Sequence, residues 1–150
     1  MQGKNNEFEI VVSDKIERIF NNYMESYSYE IEAGGILIGR IDYGEKKIML
    51  LDLSEPVEGD KQTRFSYKRS ELGHQQFMDK MWEKSGHTVT YLGEWHTHNQ
   101  NKIMPSPVDY SNWIRLSNMK HNTDILVFII LGRKDFALWI SKGGKIEKVI

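Results

Sequence analysis

The chain has 150 residues, 39% apolar and 11% aromatic, which is enough for one ordinary core, so a single domain over 1–150 is expected. Its formal charge of −1 gives no electrostatic case for nucleic acid or an anionic membrane as the main partner. With no cysteine at all, disulfides, thiolate zinc sites and a cysteine nucleophile are excluded.

In chain order, FEIVV (8–12) reads as a short strand. A helix is predicted from Asp14, where Asp14 and Glu17 stand at capping-box spacing, and Ile16, Ile19, Phe20, Tyr23 and Tyr27 recur on one face. GGILIGRIDY (34–43) and KKIMLLDLSEP (46–56) read as two strands around a glycine-containing turn. Residues 69–86 form a second helical stretch, with Met78, Met81 and Trp82 on a common stripe. A strand follows over 87–96 and a third helix over 106–120. DILVFIILG (124–132) is apolar almost throughout, as a strand buried on both faces would be, and one or two further strands close the chain. The order β-α-β-β-α-β-α-β-β predicts an α/β fold, a mixed β-sheet flanked by helices. The N-terminal MQGKNNEFEI has no apolar signal core, and no run approaches membrane-spanning length. The expectation is a soluble cytoplasmic protein.

The chemistry gathers in GEWHTHNQNKIMPSPVD (93–109). On a strand, residues i and i+2 share a side, so His96 and His98 project together and can converge on one zinc ion. Alone, such a pair reads equally well as two surface histidines at a strand end. Ser106, Pro107 and Asp109 form a good helix start, as N-cap, N1 and N3. That explains the helix but not the direction of Asp109, which shares a face with Trp113 and Leu116 at i, i+4 and i+7. A carboxylate facing the core is costly unless a charge meets it, and a metal on the two histidines would be that charge. Two histidines and one carboxylate leave a fourth position for water, which is the catalytic arrangement. The base for that water is Glu30, Glu32 or Glu94. Glu94 is in phase with the histidines, near the metal or as a hydrogen-bond acceptor behind a ligand, and spacing alone does not choose. His74, His87 and His121 read as ordinary surface or helix-end residues, and Trp95 and Trp113 as core.

These residues carry a family resemblance. H-T-H, seven residues, then S-x-x-D, preceded by E-A-G-G-I-L-I-G, resembles the JAB/MPN metalloenzyme (JAMM) family over most of the chain. It is most similar to bacterial JAB deconjugating peptidases, some encoded beside E1/E2-like proteins in antiviral (CBASS-type) cassettes. The resemblance implies a single-domain JAB/MPN, cytidine-deaminase-like fold and one Zn2+ per chain on His96, His98 and Asp109. It also implies Glu32 as general acid/base and Ser106 as hydrogen-bond donor to the oxyanion. The implied reaction is hydrolysis of a peptide or isopeptide amide. The implied partner is a ubiquitin-like protein or protein conjugate, its extended C-terminal tail laid along a strand edge. Thr63, Arg64, Phe65, Ser66 and Tyr67 are the candidates for that edge. Deamination is disfavoured, because deaminase zinc sites use cysteine. The chain departs from the family in having Asn99 where proline usually follows the second histidine. The stretch from Tyr110 to Asp124 is also too short for the long insertion of eukaryotic ubiquitin-chain enzymes. Two other readings remain: a scaffold or adaptor of this fold without catalysis, and a RadC-like protein sharing the H-x-H…S-x-x-D spacing. Retention of all five positions and the upstream EAGGILIG favour the peptidase.

Overall fold

Apolar runs separated by turns assemble one curled sheet in a computed structural model that describes residues 2–150. The elements are β1 (Gln2–Lys4), β2 (Glu9–Val12), α1 (Asp14–Ser26), β3 (Gly34–Asp42), β4 (Lys47–Leu53), β5 (Lys61–Gln62), β6 (Tyr67–Lys68), α2 (Glu71–Lys84), β7 (Thr90–Thr97), α3 (Pro107–Ser117), β8 (Ile125–Leu131), β9 (Phe136–Lys142) and β10 (Lys145–Lys148). Eight strands pair in the order β1-β2-β4-β3-β7-β8-β9-β10, while β5 and β6 form a separate hairpin. The β2–β4 and β7–β8 pairs are parallel and the others antiparallel, giving the mixed α/β sheet the sequence predicts. The sheet curls until its ends meet: Lys142 Nζ lies 2.5 Å from Glu7, and a Cβ on Gly3 of β1 would stand 3.1 Å from the Ile150 side chain.

The interior strand β8 is buried along its whole length and splits its side chains between two cores. Val127 and Ile129 pack with Ile16 and Phe20 of α1 and with Trp95, whereas Phe128 and Ile130 pack with Trp113 and Leu116 of α3. Each such side chain, fully buried, contributes about 1.5–3 kcal/mol, so β8 is the spine of the fold. Helix α2 covers Ile36, Ile38 and Val89 with Phe77, Met78 and Met81. Among the described residues no helix is long and apolar enough to cross a membrane.

Two local expectations are corrected, and three short strands were not predicted. The cap of α1 is Ser13, whose side chain accepts the Ile16 N–H, so Asp14 and Glu17 sit inside the first turn, where the helix dipole favours acidic groups. Trp82 leaves the apolar stripe of α2 because the chain reverses at Gly86 and His87, both at positive φ, and the His87 ring folds back to stack on it. The hairpin β5–β6 and the strand β1 are too short and polar to show in a hydrophobic pattern.

The glycine pair opening β3 is a packing requirement. A Cβ on Gly35 would stand 2.1 Å from the Ser54 carbonyl oxygen, and one on Gly34 would enter the Tyr67 ring. Gly35→Ala must therefore push β3 from the end of β4. Overpacking of this kind costs about 1–3 kcal/mol. Urea denaturation is expected to show the loss as a lower midpoint; an unchanged midpoint would contradict this packing.

Candidate metal centre

The parallel pairing of β7 with β8 aligns His96 with Ile130, and the His98 N–H donates to the Leu131 carbonyl at 2.9 Å. Strand alternation thus continues past the end of β7, and both imidazoles emerge on one side. The N-terminus of α3 meets them there. Ser106 Oγ accepts the Asp109 N–H at 3.1 Å, while Asp109 Oδ2 accepts the Ser106 N–H at 2.8 Å. This reciprocal cap fixes the rotamer of Asp109, so one carboxylate both starts the helix and faces the histidines.

Three candidate ligand side chains converge. The two Nε2 atoms are 3.1 Å apart, with Asp109 Oδ1 3.2 Å from that of His96 and Asp109 Oδ2 3.1 Å from that of His98. Ligand bonds of 2.0–2.1 Å at tetrahedral angles put donor atoms about 3.3 Å apart, so the three side chains approach one another at the spacing of zinc ligands. Glu32 offers a further carboxylate oxygen, 3.9 Å from His98 Nε2. Glu32, His96 and His98 by themselves also form a group that could hold a metal, their donor atoms all within 4.8 Å. Of the two carboxylates Asp109 is closer to both rings, so with the histidines it would hold a metal, leaving Glu32 free to act as a base. The Gln100 side-chain oxygen is 3.3 Å from His98 Nδ1; accepting the hydrogen there leaves the Nε2 lone pair facing Asp109.

The electrostatics divide the two acids. Burial disfavours the charge on Asp109, but hydrogen bonds and positive charge from His96 and His98 hold its carboxyl well below the usual carboxylate range. Burial raises Glu32, and the histidines offset this only in part. Burial would lower His98, yet the Asp109 hydrogen bond and charge leave it raised. One acid is thus fixed as an anion and the other is disposed to take a proton.

Beside the three side chains is a cavity of about 400 Å3 lined by Glu32, Arg64, Phe65, His98, Asn99, Gln100 and Ser106. A larger groove of about 810 Å3 between α2 and α3 contains none of the five motif residues, whereas Glu32, His98 and Ser106 line the smaller cavity. Thr63 to Tyr67 is placed differently from the expected strand edge. It is the turn of the β5–β6 hairpin and its exit, closed on itself by Thr63 N–H to the Ser66 carbonyl and by the two side-chain hydroxyls 2.8 Å apart. Arg64 and Phe65 face the cavity, Phe65 being 84% exposed, whereas Tyr67 turns away to Asp60 and His74.

Glu94 is on the expected side of β7, but its carboxylate is taken by Arg69 Nε at 2.8 and 2.9 Å and by the Tyr91 hydroxyl at 2.7 Å. His74 is not a surface residue: it is 0% exposed, because Asp60 and Ser54 supply partners for both ring nitrogens. Asn99, at the position of the family proline, accepts from Arg133 Nη1 at 2.8 Å and so ties the loop by a hydrogen bond instead. Sequence reasoning missed Gln100 and the hairpin contacts to Glu32. The i+2 spacing from His98 was the available signal for Gln100; the hairpin contacts left none.

The family model for prokaryotic homologs of the JAB domain matches residues 23–142. A protein of Escherichia coli named CD-NTase/cGAS isopeptidase is 31% identical over 133 residues, 89% of this chain and 80% of that protein. A protein of the same name from Vibrio cholerae is 32% identical with the same coverage, and one from Pseudomonas aeruginosa is 32% identical over 81% of this chain and 75% of its own. The chain belongs to the prokaryotic JAB-domain family, as its motif spacing predicts. A solution structure of a Desulfitobacterium hafniense protein, 18% identical, superposes with a TM-score of 0.61 over 93% of this chain and 88% of that one, and shares the fold.

Proposed function

We propose that the protein is a zinc-dependent isopeptidase that hydrolyses the amide after the extended C-terminal tail of a ubiquitin-like or conjugated protein. The observation that carries this is the convergence of His96, His98 and Asp109 with a second carboxylate, Glu32, beside them. The relatives named CD-NTase/cGAS isopeptidase support the isopeptide bond and suggest that the other half of the conjugate is a nucleotidyltransferase of that class. A cytoplasmic antiviral cassette with E1/E2-like proteins is the setting this reading implies.

Zinc on His96, His98 and Asp109 would supply Lewis-acid polarisation of the scissile carbonyl and bring the pKa of water to about 7. The protein's own groups do the rest. Glu32, raised by burial, takes the proton of the attacking water and returns it to the leaving amine. Ser106 Oγ already accepts the Asp109 N–H, so its hydroxyl hydrogen is free to donate to the developing oxyanion. Arg64 and Phe65 border the cavity and position the tail; an extended tail reaches between them and Ser106, and a folded one does not.

The test is a panel of ubiquitin-like proteins joined through their tails to a reporter, by linear and by isopeptide bonds. Cleavage is expected at the last residue of the tail, lost with EDTA, restored by zinc, and indifferent to thiol alkylation. Zinc-loaded protein that binds such partners and cuts none would replace this reading with the adaptor.

A further inference from the structure

A second polar cluster lies buried away from the metal centre. Ser54 Oγ, at the end of β4, is 2.6 Å from His74 Nδ1 on α2, and His74 Nε2 is 2.9 Å from Asp60 Oδ2. The Tyr67 hydroxyl donates to the same Asp60 oxygen at 2.6 Å, and Asp60 also accepts the N–H groups of Val57 and Ser70. Serine, histidine and aspartate in a row resemble a hydrolytic triad, but the geometry refuses that use. Ser54 is buried, its oxygen accepts the Ile36 N–H at 2.9 Å, and both His74 and Asp60 side chains are 0% exposed. No substrate carbonyl can reach it.

The cluster instead sits behind Glu32. β3 starts only at Gly34, and the two backbone groups of Glu32 are held by the hairpin: its N–H donates to the Thr63 carbonyl at 2.7 Å, and its carbonyl accepts from Gln62 Nε2 at 3.1 Å. The hairpin has just two paired residues on each side, Lys61 with Lys68 and Gln62 with Tyr67. A two-stranded ribbon of that length does not hold itself in water. Its anchors are Asp60, the residue before β5, and Tyr67, in β6. Both belong to the buried cluster, and the Tyr67 ring fills the space left by the missing side chain of Gly34, the cross-strand partner of His96. We infer that the Ser54–His74–Asp60–Tyr67 cluster is a positioning device: it anchors the hairpin to α2 and β4, and through the hairpin it holds Glu32 at the metal centre. The catalytic consequence rests on the function proposed above; the mechanical one does not.

The discriminating variant is Tyr67→Phe, which keeps the ring on Gly34 and removes the hydroxyl bonded to Asp60. Amide hydrogen exchange is the first readout and needs no substrate. In the unaltered protein, the amides of Glu32, Val57 and Ser70 are expected to open as one unit. In Tyr67→Phe, the Glu32 amide should exchange at least about tenfold faster, while amides of β8 keep their rates. Zinc content should be unchanged. Turnover is the second readout: kcat should fall about 10- to 100-fold with KM little altered, since a base misplaced by an ångström loses that much. In a Glu32→Gln background the same substitution should cause no further loss. Independent opening of the three amides in the unaltered protein, or an unchanged Glu32 rate in Tyr67→Phe, would overturn the inference, as would a full additional loss of kcat in the Glu32→Gln background. The exchange results in the unaltered protein decide even if the variant is unfolded. If the unaltered protein cleaves nothing, the proposed hydrolysis fails alone, and exchange still decides whether the cluster holds Glu32.

Discussion

Glu32→Gln is expected to keep the fold, the zinc content and substrate affinity while kcat falls by a factor of about 10²–10⁴, the usual contribution of a positioned acid/base. The amide is nearly the same size, and the backbone contacts that place residue 32, from Thr63 and Gln62, do not involve its side chain. What is lost is the capacity to accept the water's proton. Glu94→Gln, by contrast, should leave turnover measurable, because Glu94 is engaged with Arg69 and Tyr91 rather than with the histidines. Steady-state kinetics with metal analysis on both variants checks the pair. Reversed outcomes would move the base from Glu32 to Glu94.

Asp109→Ala should be worse still, because that carboxylate serves two structures at once. It is the third candidate ligand, and its Oδ2 closes the capping box at the start of α3. Zinc should no longer copurify and cleavage should vanish. Loss of its hydrogen bond and negative charge in the first turn of α3 should independently cost roughly 0.3–1 kcal/mol of stability, measured by urea denaturation with chelator present throughout. Removing zinc from the unaltered protein should also destabilise it, since a half-buried carboxylate loses its cation. Asp109→Asn separates the two roles, because an amide oxygen can still accept the Ser106 N–H while binding metal poorly. It is expected to retain most of the capping energy and little of the zinc. Full zinc content in Asp109→Ala would remove Asp109 from the ligand set in favour of Glu32.

Much of this arrangement was legible in the chain because it depends on local rules. His96 and His98 share a side through strand alternation, and that alternation persists because His98 N–H still bonds to the Leu131 carbonyl. Asp109 shares a face with Trp113 and Leu116 through helical period, and both are buried as expected. The seven-residue apolar run Ile125–Leu131 announced an interior strand buried on both faces. The illegible parts are set by distant contacts. Glu32 could not be separated from Glu94 by spacing, because the Glu94–Arg69 pair joins residues 25 apart and the Thr63–Glu32 bond joins residues 31 apart. The β5–β6 hairpin has no apolar period to read: its sequence KQTRFSYK exposes Phe65 and buries a polar anchor. His74 looked like a polar residue on a helix, and its burial depends on Asp60 and Ser54 arriving from two other segments.

The most direct test of the central claim is the fate of solvent oxygen. A tail-linked conjugate is incubated with zinc-loaded protein in heavy-oxygen water, and the released tail is weighed by mass spectrometry. Hydrolysis at the His96, His98 and Asp109 centre predicts a single heavy oxygen in the new carboxylate of the tail, with no release by Asp109→Ala. A conjugate left intact by the zinc-loaded protein, or a tail released without heavy oxygen, would contradict it.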